Sequence, residues 1–302
     1  MSNEHPTMLL WISLSLSYAL VYASPSPLRR RDSITTLSDS EIEAFKPYTY
    51  YASAGYCEPS TTLAWNCGSN CEANSAFEPV GSGGDGDSVQ YWYVGYDPDL
   101  ETVIVAHQGT DTSKLLPVIT DINYGLTELD DDLFPGIDSD IEVHSGFKES
   151  QADTATDVLA AVSSAMSTYL TSSVTVVGHS LGGAIALLDG VYLTLQLPSA
   201  SVSVITYGMP RVGNQEFADW VDEHITVSHI NNKKDPVPIL PGRFLGFHHC
   251  SGEKHITDSD SWVSCPGQDN TDDQCAVGEV GNLLEGDTDD HSGPYDGVTI
   301  GC

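Results

Sequence analysis

The sequence predicts an α/β domain built on a mostly parallel central sheet. Short apolar, β-branched runs recur at Thr102–Ala106, Ser173–Val177, Ser201–Tyr207 and Ile225–Ile230, as strands buried on both faces require. Helix-patterned segments separate the later runs, so the order strand, helix, strand repeats. The chain has 302 residues and is 40% hydrophobic, enough for one large packed domain.

Taken in order, Gly81–Asp87 (GSGGDGD) reads as a turn, and Tyr91–Tyr96 as an aromatic strand on an antiparallel edge. Gln151–Leu170 places Ala155, Val158, Val162 and Met166 on one helical face. Leu181–Leu197 is an apolar helix stopped by Pro198. Asn214–Val221 reads as a helix between the last two strands. No internal repeat or Pro-rich linker divides the chain.

Met8–Ala23 is an apolar run ending in small residues, and Leu28-Arg29-Arg30-Arg31 resembles a basic processing site. Residues 1–23 are therefore expected to be a signal peptide, 24–31 a short pro-segment, and 32–302 a single secreted domain. The apolar run is short for a membrane span, so no stable anchor is expected. Acidic residues number 43 against 11 basic ones, a balance that repels phosphate backbones and excludes nucleic-acid binding. A secreted route permits disulfides among the seven cysteines, and the odd number leaves one thiol over.

The sharpest chemical signal is Gly178-His179-Ser180-Leu181-Gly182. It lies between a buried strand and an apolar helix, the setting in which G-x-S-x-G raises a serine nucleophile on a strained turn. The helix start supplies free N–H groups for a developing oxyanion. A serine hydroxyl needs a base, and the base an orienting carboxylate, here in the order Ser, acid, His. Asp235 follows the strand at 225–230 in a turn that Pro236 keeps from becoming helix. Four histidines lie beyond it. His291, in a loop at 289–294, is read as the base. His248, His249 and His255 with Cys250 fit no common zinc spacing and are read as packing residues, so no metal is expected. His107, His144 and His179 are read as scaffold, His179 pointing away along the turn. The loop after Thr102–Ala106 offers Thr110 as a second oxyanion donor beside Leu181.

These residues give the chain a specific resemblance. It is similar to the fungal class 3 lipases, a family of secreted triacylglycerol lipases that also includes feruloyl esterases. The similarity runs from about residue 45 to 302, on VIVAHQGTD, VHSGF, VTVVGHSLGGA, YGMPRVGN, NNKKDPVPILP and DDHSGPY in that order. It implies an α/β-hydrolase fold with a triad of Ser180, Asp235 and His291, and oxyanion donors at Thr110 and Leu181. It implies acyl-enzyme chemistry without a cofactor. There are two departures from the family pattern. His107-Gln108 stands where Phe-Arg is common, and Tyr295-Asp296-Gly297 where Tyr-Phe-Gly is common.

From the resemblance, disulfides are expected at Cys57–Cys302, Cys67–Cys71 and Cys265–Cys275, with Cys250 left as a buried thiol beside His249. The family also carries a short mobile segment over the active site. Here that position holds Leu115, Leu116, Val118 and Ile119 between Lys114 and Asp121, apolar enough to turn outward at an oil–water interface. The expected substrate is accordingly a triacylglycerol, and the expected state a monomer. An aryl ester such as a feruloyl ester of plant cell walls is the alternative. A non-catalytic lipid-binding relative is a third reading, opposed by the complete set of Ser, Asp and His.

Overall fold

The computed structural model describes residue 1, residues 33–110, 114, 116–117 and 125–302. The chain divides into Met1–Arg31 and Asp32–Cys302, and the second unit is described here. The expected signal peptide and pro-segment lie outside the described residues apart from Met1. Among the described residues no helix is long and apolar enough to cross a membrane.

A nine-stranded sheet organises these residues. Its strands are β1 (Thr35–Thr36), β2 (Glu78–Gly83), β3 (Trp92–Asp97), β4 (Thr102–His107), β7 (Ser173–His179), β8 (Ser201–Tyr207), β9 (Thr226–Asn232), β10 (Glu253–Ile256) and β11 (Trp262–Ser264). Their spatial order is β1-β11-β10-β9-β8-β7-β4-β3-β2. The middle five, β4, β7, β8, β9 and β10, are parallel. Antiparallel strands close both edges. A small separate hairpin joins β5 (Leu126–Glu128) to β6 (Glu142–His144).

Strand composition explains the order. In β4 every residue is buried, and in β7 every residue from Val174 onward, so continuous β-branched runs suit the centre of a covered sheet. Helices cover both faces. On one side lie α5 (Ser145–Ala152), α6 (Ala155–Tyr169), α7 (Leu181–Gln196) and α8 (Gln215–His224), whose apolar stripes build the main core with Val105, Val176 and Val204. Four short helices precede them: α1 (Asp39–Glu43), α2 (Lys46–Ala54), α3 (Pro59–Leu63) and α4 (Ser69–Ala73). Of these, α2 lies across the other face through Tyr51, Ala52 and Ala54. Leu181 to Leu193 of α7 is buried on all sides, the pattern of a helix inside a core rather than on a surface.

The expected elements recur with three differences. The segment read as a turn at 81–87 is strand up to Gly83, because Gly81, Ser82 and Gly83 pair with β3. The helix read over 151–170 is two helices, broken at Asp153–Thr154. The second edge, β10-β11-β1, and helices α1 to α4 were not anticipated.

Three disulfides join Cys57 to Cys302, Cys67 to Cys71 and Cys265 to Cys275, and Cys250 is a buried thiol, as expected. Burial pushes the Cys250 thiol well up from its ordinary value, which keeps it protonated and unreactive. Its carbonyl faces His229 Nε2 at 3.1 Å, and His229 stacks on His249. The bridge between Cys57 and Cys302 spans 245 residues. In the loop-entropy picture a crosslink of that span contributes about 5 kcal/mol. Replacing both cysteines by serine should therefore lower the denaturation midpoint strongly, far more than the Cys67→Ser, Cys71→Ser pair. Urea titrations of the two variants check this; equal losses would contradict it.

Candidate active site

The turn between β7 and α7 places Ser180 at φ 62° and ψ −129°, a left-handed conformation that ordinary residues avoid. Backbone hydrogen bonds hold it there. Ser180 N–H donates to Tyr207 O at 2.9 Å, and Gly183 N–H to Ser180 O at 3.0 Å. The turn is so tight that a Cβ on Gly178 would lie 2.1 Å from Gly182 O, which is why the sequence must be glycine there. The Ser180 N–H is engaged, and the Leu181 N–H, first of the helix, has no intrahelical acceptor.

Asp235 sits just beyond β9 and is buried. Its Oδ1 accepts from Val237 N–H at 2.9 Å, and its Oδ2 accepts from Nδ1 of His291 at 2.8 Å. That bond fixes the proton on Nδ1 and leaves the Nε2 lone pair for another partner. Nε2 of His291 and Oγ of Ser180 are both buried, and neither has a hydrogen-bond partner among the described residues. The acid loop and the base loop are stitched together. Asn232 donates to Asp290 O at 2.8 Å, Lys234 N–H to Asp290 Oδ2 at 3.2 Å, and Asp287 N–H to Lys234 O at 2.7 Å. Arg211, itself buried and paired with Asp269, donates to the carbonyls of Ile239 and Pro241 and so pins the chain after Asp235.

His179 does not point away. Its Nε2 lies 2.8 Å from His291 O and its Nδ1 2.6 Å from the Tyr56 hydroxyl. A carbonyl can only accept, so Nε2 carries the proton and Tyr56 donates to Nδ1. Complete burial, and then the neighbouring His291 ring 4.4 Å away, hold the His179 imidazole well below its ordinary value and therefore neutral. Tyr295 OH also donates to His291 O, at 2.9 Å. Sequence reasoning missed Tyr56 and Tyr295, since neither belongs to a local catalytic pattern. It also missed Gly208, which has φ +53° and where a Cβ would lie 2.8 Å from Asp235 Oδ2 and 3.0 Å from His291 Nδ1.

Gln108, Gly109 and Thr110 run beside the serine turn. A Cβ on Gly109 would lie 3.0 Å from Ser180 Cβ. These three residues, with Tyr56, His179, His291, Ile300 and others, line a cavity of about 350 Å³. Of the apolar segment expected to cover the site, Leu116 is half-buried and packs on the main core; Leu115, Val118 and Ile119 lie outside the described residues. The histidines set aside above are engaged elsewhere. His249 Nε2 faces Pro238 O at 2.8 Å, and His255 lies between the carbonyls of Gln274 and Lys233.

Gly208→Ala should separate Asp235 from His291, lowering the turnover of dissolved esters by about a hundredfold, the scale of a catalytic group displaced by about 1 Å. Circular dichroism would report a retained fold. Unchanged turnover in the folded variant would show that the pair tolerates a methyl group there.

Residues 104–245 match the family model described as lipase (class 3). A secreted mono- and diacylglycerol lipase of Malassezia globosa is 32% identical, over 72% of this chain and 74% of the relative. A secreted mono- and diacylglycerol lipase of Fusarium solani is also 32% identical, over 82% of this chain and 74% of the relative. Among solved structures, the Rhizomucor miehei lipase in its propeptide complex superposes with a TM-score of 0.76 at 26% identity, covering 89% of this chain and 84% of that one.

Proposed function

The chain belongs to the class 3 lipase family and is a serine carboxylester hydrolase, and we propose that it hydrolyses acylglycerols through an acyl-enzyme on Ser180. The observation that carries this reading is the bond from His291 Nδ1 to Asp235, with His291 Nε2 and the hydroxyl of the strained Ser180 both buried and without a partner among the described residues.

The steps follow from the donors and acceptors. His291 Nε2 takes the Ser180 proton as Oγ attacks the ester carbonyl carbon. Asp235 holds the imidazole in the required tautomer and stabilises the imidazolium. The N–H groups of Leu181 and Thr110 receive the oxyanion. As the tetrahedral adduct collapses, His291 gives its proton to the departing alkoxide and the acyl group remains on Ser180. Water then attacks, His291 takes its proton, and the acid is released. Neutral His179 keeps a second cation away from the imidazolium while its N–H holds the His291 backbone.

The two relatives named for mono- and diacylglycerols, together with the apolar segment around Leu116, support an acylglycerol substrate met at an oil–water interface. Ser180→Ala should lower hydrolysis by ~10⁴-fold or more with the fold retained. On the unaltered enzyme, initial rates should be higher on emulsified mono-, di- or triacylglycerols of short chain than on methyl ferulate. A folded, active Ser180→Ala variant would overturn the nucleophile, and methyl ferulate as the best substrate would overturn the substrate class.

A further inference from the structure

A buried polar cluster lies behind the oxyanion loop and takes no part in the steps above. His107 ends β4 and directly precedes Gln108, Gly109 and Thr110. Its Nε2 is 2.7 Å from Oδ2 of Asp189, and both side chains have 0% exposure. The other carboxylate oxygen accepts from Gln151 Nε2, also at 2.7 Å. Three elements meet there: the end of β4, helix α7 and helix α5. All three side chains are fully buried. A carboxylate in such surroundings is costly even when fully bonded. An apolar side chain at position 107 would be buried without that cost, so burial alone gives no reason for the pair.

Resting on the proposed function, we propose that His107, anchored by Asp189 and Gln151, is a positioning residue for the oxyanion donor at Thr110. The two donors come from separate parts of the chain. Leu181 N–H opens α7, whereas Thr110 follows β4. Stabilising an oxyanion requires both at a fixed spacing, to a fraction of an ångström. The bond from His107 to Asp189 ties the root of the Thr110 loop to the same helix that carries Leu181. Backbone packing makes the coupling short: a Cβ on Gly182 would lie 2.4 Å from His107 O. On the sheet side, Gln108 is clamped to Tyr91, donating its N–H at 2.8 Å and accepting through Oε1 at 2.9 Å. The loop is thus held from the sheet by Gln108 and from α7 by His107.

Hydrogen-bond logic supplies a discriminating set of variants. The Asp189 carboxylate can only accept, so the His107 proton sits on Nε2; Nδ1 has no partner among the described residues, so in a variant the proton can move there. An asparagine at 189 can donate to His107 Nε2 and still accept from Gln151. Asp189→Asn therefore keeps the anchor, whereas Asp189→Leu and His107→Phe remove it. On dissolved p-nitrophenyl butyrate, His107→Phe and Asp189→Leu should each lower kcat about tenfold with KM within about twofold, as expected when a donor made useful in the transition state is misplaced. Affinity for phenylboronic acid, which forms a tetrahedral adduct on the serine, should fall in parallel. Asp189→Asn should stay within about threefold of the unaltered enzyme in kcat, since it preserves both bonds. Unchanged kcat in His107→Phe, whatever happens to its melting temperature, would show that the pair only packs the core. Should His107→Phe not fold, the two Asp189 variants carry the same test, and equal losses in Asp189→Asn and Asp189→Leu would overturn the anchor. An active, folded Ser180→Ala enzyme would instead remove the functional reading beneath it, so the two failures are distinct.

Discussion

Ser180 is held at φ 62° by the turn that joins β7 to α7, and the rest of the site is arranged around that strained residue. A left-handed backbone at a residue with a side chain costs about 1–3 kcal/mol and persists when its surroundings over-determine it. Here β7 lies between β4 and β8 at the centre of the sheet, and α7 is buried over its first thirteen residues. Neither can shift to relax the turn. The strain is therefore borne by the surrounding core, and the turn places Ser180 at the carboxyl edge of the parallel strands.

That same edge gathers the other groups of the proposed site. Thr110 follows β4, Gly208 follows β8 and Asp235 follows β9. His291 arrives last, in a short 3-10 turn at Thr288–Ser292, and it is fixed by others. His179 and Tyr295 donate to its carbonyl, Asp235 accepts from its ring, and Asn232 holds the neighbouring Asp290. In this chain the segment is held by these polar contacts together with the packing of the buried His291 and Tyr295 rings against His179 and Tyr207.

The parallel half of the sheet and the serine turn were legible because their signals are local. Runs such as TVIVA and SVTVV declare buried strands, and G-H-S-L-G declares its turn by spacing. The far edge was not legible, since β10 and β11 are four and three residues long and carry Glu253, Lys254 and Ser264. The turn reading at 81–87 failed at Gly81 to Gly83, where pairing with β3 overrides poor strand propensity. At the proposed site, the serine turn and the pairing of Asp235 with His291 were legible through motif spacing, residue order and strand ends. Tyr56 and Asp189 were not, because their bonds reach 123 and 82 residues along the chain. His179 was misjudged for a related reason: its direction depends on a loop more than a hundred residues away.

The most direct test of the central claim is covalent trapping with a p-nitrophenyl phosphonate ester, read by released nitrophenolate and by peptide mass. A serine activated by His291 at this turn should react stoichiometrically and carry the adduct on the peptide containing Ser180, with the reaction strongly slowed in His291→Ala. An adduct on another residue, or undiminished labelling in His291→Ala, would contradict the account.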